Sequence, residues 1–230
     1  MIAIKRNIKK SNFFFLSILC ILNTLMFIRA IFTFPFHRLI THETLWSFFL
    51  CSFYLIFIFI SDANLLLFNS TKLEKFNSFI RNKYSIIAYS YCYSITIEFW
   101  SILSLGLVFG KNPFSEKKNI PFKLLLESLY LHFGITIIML YDLITTKREI
   151  ENKNILLIIN IIYFCYSIVV LCANYVLFMP AYPFMKNAGV GLMIGIFVGS
   201  FILVNSCYYL HLFLVKLIHG QKPIYNKKII

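Results

Sequence analysis

The feature that most constrains this chain is the alternation of long apolar runs with short basic connectors. Runs of about 20 residues or more recur along its whole length, and each is long enough to cross the roughly 30 Å hydrocarbon core of a bilayer as a helix. Taken in order, the apolar runs span about 12–36, 44–68, 84–110, 121–145, 155–179 and 189–217. Backbone amides inside lipid must be satisfied within the segment, so such runs predict helices. The expectation is an all-α, polytopic membrane bundle of six transmembrane helices forming a single domain over residues 1–230. The first run resembles a signal peptide in its basic flank, yet it is longer than an h-region and has no clear small-residue cleavage site, so it reads as an uncleaved span.

Charge gives the orientation. The chain has 22 Lys and Arg against 9 Asp and Glu, an excess that in a soluble protein would point to nucleic acid. Here the basic residues gather at the edges of the runs. With the N-terminus in the cytosol, the segments 1–11, 69–83, 146–154 and 216–230 carry fifteen Lys and Arg, whereas the opposite loops carry Arg38, Lys111, Lys117, Lys118 and Lys186. By the positive-inside rule both termini are cytosolic, and no nucleic-acid partner is expected. The six cysteines all fall inside apolar runs with no C-x-x-C pair, and read as small buried hydrophobes. Gly191, Gly195 and Gly199, at four-residue spacing, read first as a close helix contact within the bundle and second as a homo-oligomer contact. Lys227-Lys228-Ile229-Ile230 resembles the dilysine signal that returns membrane proteins to the endoplasmic reticulum.

Ionisable groups inside apolar runs are costly, which makes each one a functional candidate. The fourth run carries His132 near its middle and Asp142 near its end; Arg29, Asp62 and Glu98 lie in the first, second and third. At 1.5 Å per helical residue, Glu98 lies roughly 20 Å above Tyr84 and His132 roughly 22 Å above Lys147, so the two share a level. Arg29 and Thr44 lie somewhat higher. Asp62, Asp142 and His211 make a second set toward the cytosolic face. A hydroxyl becomes a nucleophile when a base takes its proton and a third group orients the base, roles that Thr44, His132 and Glu98 fill by type. Against this stands the pairing of Glu98 with Arg29, since buried charges are usually paired. The same helical rise leaves Thr44 roughly 10 Å above His132. Tyr89, Tyr91 and Tyr93 read as packing or interfacial residues. There is no H-E-x-x-H pair, G-x-S-x-G elbow, P-loop or dinucleotide fingerprint, and no metal or cofactor is expected.

Several stretches resemble the androgen-induced and androgen-dependent TFPI-regulating family of six-span membrane proteins. They are Thr44-Leu45-Trp46-Ser47 with Asp62 at the far end of the run, Leu131-His132 with Asp142 ten residues on, Phe99-Trp100, and the Tyr182-Pro183-Phe184 turn between the fifth and sixth runs. Glu43 stands where the family has leucine, and the proline often found between the histidine and the aspartate is absent. The resemblance implies a threonine hydrolase of fatty acid esters of hydroxy fatty acids, acting on a membrane lipid substrate with Thr44 as nucleophile and His132 as base. Glu98, Arg29, Asp62 and Asp142, the other ionisable groups within the runs, are the candidate supporting residues. Two other readings remain open: a non-catalytic lipid-binding or scaffold protein, and a small transporter in which Arg29, Glu98 and Asp62 line a path.

Overall fold

A computed structural model describes residues 10–68, 71–108, 129–146, 148, 154–179, 185 and 189–220. The C-terminal Lys227-Lys228-Ile229-Ile230, the connector around Lys111, Asn69 of a glycosylation sequon, and the Tyr182-Pro183-Phe184 turn lie outside the described residues. Among the described residues the secondary structure is helical throughout: α1 (Lys10–Thr33), the short α2 (Phe36–Thr41), α3 (Glu43–Phe68), α4 (Thr71–Phe79), α5 (Ser85–Val108), α6 (Ile135–Thr145), α7 (Ile155–Tyr175) and α8 (Val190–His219). A π-helical turn over Ile80–Tyr84 joins α4 to α5, and a second over Tyr130–Gly134 leads into α6.

Four stretches are long and apolar enough to cross a membrane, Phe13–Thr33, Glu43–Asn64, Ile155–Tyr175 and Val190–His219, consistent with a multi-pass membrane protein. A shorter apolar stretch covers Tyr130–Thr145. Helix α5 is as long, at 24 residues, and carries Ser85, Tyr89, Ser90, Tyr91, Ser94 and Thr96 among its apolar residues. It is central, packed against α3, α6, α7 and α8, so its hydroxyls meet other helices. Cys51 Sγ donates to the Ala88 carbonyl at 3.4 Å, Ser47 Oγ to the Tyr91 carbonyl at 2.8 Å, and Tyr91 Oη to the Ile159 carbonyl at 2.9 Å. Such bonds across helices tie the bundle together where water is absent. The Tyr91 side chain is therefore a buried strut and not an interfacial residue.

The polarity of the molecule suits lipid as solvent. Phe14, Phe164 and Ile202 face outward at 69, 58 and 59% exposure, while Asn23, Asp142 and His211 are fully enclosed. Two expectations need correction. Gly191, Gly195 and Gly199 do not mediate close packing among the described residues: a Cβ added at any of them meets none of these within 4 Å. The reason is the rotation of α8, which turns Met193, Val204, Cys207, Tyr208, His211 and Val215 inward and the glycines out. Likewise Cys20, Cys51, Cys92 and Cys207 are buried, but Cys165 and Cys172 lie on the outward face of α7. All six are free thiols.

Candidate functional site

The two π turns position the ionisable groups. A π turn inserts one extra residue into an α-helix and turns side chains away from their helical register. The first carries Arg81 and the second His132.

Around the first, Arg81, Asp62, Asp142 and Arg148 are paired with one another. Arg81 Nη2 meets Asp62 Oδ2 at 2.5 Å and Nη1 meets Asp142 Oδ1 at 3.1 Å, so one guanidinium bridges α3 and α6. Its Nε donates to Asn77 Oδ1 at 3.1 Å, and Asn77 in turn donates to Asp62 Oδ1 at 2.5 Å. Asp142 also accepts from Thr146 Oγ1 at 3.1 Å, from Tyr54 Oη at 2.5 Å and from Arg148, and Tyr89 Oη lies 3.5 Å away. Arg148 Nη2 continues to Tyr54 Oη at 2.8 Å and Tyr89 Oη at 3.0 Å, and Tyr89 Oη itself donates to the Met139 carbonyl. Burial works against the charges of both arginines, and the surrounding carboxylates and phenol oxygens outweigh it, holding both pKa values above the ordinary one. His211 lies on Tyr89, ring centroids 4.5 Å apart. Asp62, Asp142 and His211, grouped by depth in the sequence, thus share one end of the bundle. Their organisers, Arg81 and Arg148, read as loop charges in the sequence and are buried at 3 and 1% exposure. Both follow or precede long polar connectors, and no spacing distinguishes a loop arginine that folds inward from one that stays out.

The second π turn is different. His132 is half-buried, its ring stacked on Phe99 with centroids 4.2 Å apart and planes 13° from parallel. Its Nδ1 is buried with no hydrogen-bond partner. The turn is held through its backbone: Thr96 Oγ1 donates to the His132 carbonyl at 2.6 Å and lies 2.6 Å from Thr136 Oγ1. Thr96 and Thr136 were not singled out in the sequence, and Phe99 entered only through the Phe99-Trp100 resemblance; Thr96 and Phe99 sit one turn apart on α5, a spacing visible only once the helix face toward His132 is known. Gly134 fits because a Cβ there would come within 2.8 Å of Tyr130 Cδ2, and Tyr130 is fixed by its Oη donating to Asn23 Oδ1 at 3.0 Å.

Glu98 does not pair with Arg29, and no ion pair joins the two. Its carboxylate lies near Ser200 on α8 and in electrostatic reach of Glu43, whose side chain is buried at 6% exposure. Glu98 and Glu43 each keep one buried oxygen, Oε1, without a partner. Glu43 reads in the sequence as a loop acid; it is the first residue of α3, where an acid suits the helix dipole.

Thr44 is half-buried on the first turn of α3, and no hydrogen bond joins it to His132. Phe48, one turn along, touches Tyr130 with ring centroids 6.2 Å apart. Since α3 and α6 run in the same direction, the four residues from Thr44 to Phe48 and the two from Tyr130 to His132 separate the pair by about 9 Å along the bundle. Among the described residues no group of three or more His, Cys, Asp or Glu is placed to hold a metal ion. No family model matches the chain, and comparisons with curated proteins and with solved structures return no match.

Proposed function

We propose that the protein is a six-span intramembrane hydrolase of lipid esters, with both termini in the cytosol, residence in the endoplasmic reticulum, and Thr44 and His132 as nucleophile and base. The observation that carries this reading is the His132 imidazole: stacked, turned by a π segment, and left with Nδ1 unused inside an apolar bundle. A buried polar atom without a partner costs free energy, and such atoms in native proteins ask for an explanation in chemistry or a bound ligand. The resemblance to the threonine hydrolases of fatty acid esters of hydroxy fatty acids supplies the reaction class.

In this reading the ester enters laterally from the bilayer. The Thr44 hydroxyl oxygen attacks the carbonyl carbon while its proton passes to His132; the ester C–O bond breaks, and the leaving alcohol takes the proton back from the imidazole. Water, deprotonated in the same way, then cleaves the acyl-threonine and releases the fatty acid. The separation of about 9 Å requires a relay through water or a slide of α3 by more than one helical turn when substrate binds.

That separation also favours a second reading, a non-catalytic lipid-binding or scaffold protein. Labelling by an activity-directed serine and threonine hydrolase probe distinguishes them. The hydrolase reading expects labelling of the wild type in membranes and none of Thr44→Ala, with both proteins eluting alike in size-exclusion chromatography. Equal labelling of the two, or none of a well-folded wild type, would overturn it.

A further inference from the structure

A small cavity lies where α5 begins and α8 ends, beside Arg148. Its volume is about 10 Å³, room for one water or one anionic oxygen. Arg148 and His211 line it together with Ser85 and Asn82. The network around Asp142 uses only one terminal nitrogen of Arg148, Nη2. Nε and Nη1 are buried without a partner, as are both ring nitrogens of His211. The other polar groups are already engaged: Ser85 Oγ donates to the Arg81 carbonyl at 2.5 Å, and Asn82 Nδ2 to Ser78 Oγ at 3.0 Å.

Donors outnumber acceptors here. Arg148 carries an N–H on Nε and two on Nη1, and a neutral His211 ring adds one more, against three acceptor atoms, the second ring nitrogen, Ser85 Oγ and Asn82 Oδ1. A water accepts two hydrogen bonds, which leaves the excess in place. An anionic oxygen accepts three or more, and its bonds to a guanidinium are charge-assisted. The place suits such a ligand, because Arg148 follows directly on the end of α6, where an apolar helix gives way to a charged connector and phospholipid headgroups lie.

We propose that this cavity receives an anionic oxygen of a phosphate group, bound by the Arg148 guanidinium and by His211, and supplied by a phospholipid headgroup or by free phosphate. The site is independent of the Thr44 and His132 chemistry.

The test uses the full chain in a non-ionic detergent free of phosphate and phospholipid. Its unfolding midpoint is followed at constant ionic strength against inorganic phosphate, and separately in micelles doped with phosphatidylglycerol or with diacylglycerol of the same chains. At about a hundred times the dissociation constant, the expected rise is about 5–10 °C. A saturable rise with phosphate identifies the free anion; a rise with phosphatidylglycerol alone, absent with diacylglycerol, identifies the headgroup. His211→Phe keeps a ring against Tyr89 and removes the N–H, so it should fold and need at least a tenfold higher ligand concentration. Arg148→Lys keeps a charge toward Asp142 and removes the fork, with the same expected loss. No rise with either ligand, as when a bridging water fills the cavity, overturns the proposal. So does a rise that His211→Phe leaves unchanged.

Discussion

The two π turns hold the same kind of distortion and opposite kinds of chemistry. At Ile80–Tyr84 the extra residue lets Arg81 reach two carboxylates on different helices, and the hydrogen-bonding capacity of Asp142 is filled by Arg81, Arg148, Tyr54 and Thr146. At Tyr130–Gly134 the extra residue presents an imidazole whose Nδ1 has no partner. A filled network inside an apolar bundle specifies how helices dock, whereas an unfilled polar atom is maintained only where something else uses it. The comparison therefore assigns the Arg81–Asp142 network to architecture and the His132 level to chemistry, while the unpartnered nitrogens of Arg148 and His211 belong to the cavity beside that network.

The largest expected effect comes from removing the hub of the filled end. Asp142→Ala leaves the buried Arg148 guanidinium without a carboxylate and takes one of two from Arg81, and breaking a buried ion pair from one side costs about 3–5 kcal/mol. Purified yield and unfolding midpoint should both fall sharply; an unchanged midpoint would break the architectural half of the comparison. Tyr54→Phe removes one donor to Asp142 and one acceptor for Arg148, and should cost about 1–3 kcal/mol in the same unfolding measurement. Gly134→Ala tests the second turn. Its new methyl group must displace the Tyr130 ring and strain the bond to Asn23, for about 1 kcal/mol. The smallest effect is expected at Glu98→Gln, which keeps the size and the Ser200 contact: within about 0.5 kcal/mol of wild type. A large loss there would mean that the upper polar level is architectural too.

The helical class and the apolar helices were legible because length and hydropathy act locally, residue by residue. The depth grouping of Asp62, Asp142 and His211 was legible for the same reason, since helical rise converts sequence position into height. What escaped was azimuth. The sequence could not show that Arg81 and Arg148 fold back under the bundle, that α8 turns its glycines outward, or that Glu98 faces Ser200 and Glu43 instead of Arg29. Those facts depend on how each helix rotates about its axis, which only tertiary packing sets. The offset of Thr44 from His132 was visible from rise alone, and the Phe48 to Tyr130 contact leaves it at about the same size.

The central claim is that His132 serves chemistry and not folding. It is tested most directly by measuring, on one preparation of reconstituted protein, both the unfolding midpoint and the hydrolysis of a fatty acid ester of a hydroxy fatty acid, for wild type and His132→Ala. The expected result is a midpoint near that of wild type together with turnover at least about a hundredfold lower, the usual scale for losing a general base. Turnover equal to wild type, or a midpoint that collapses as it does for Asp142→Ala, would contradict it.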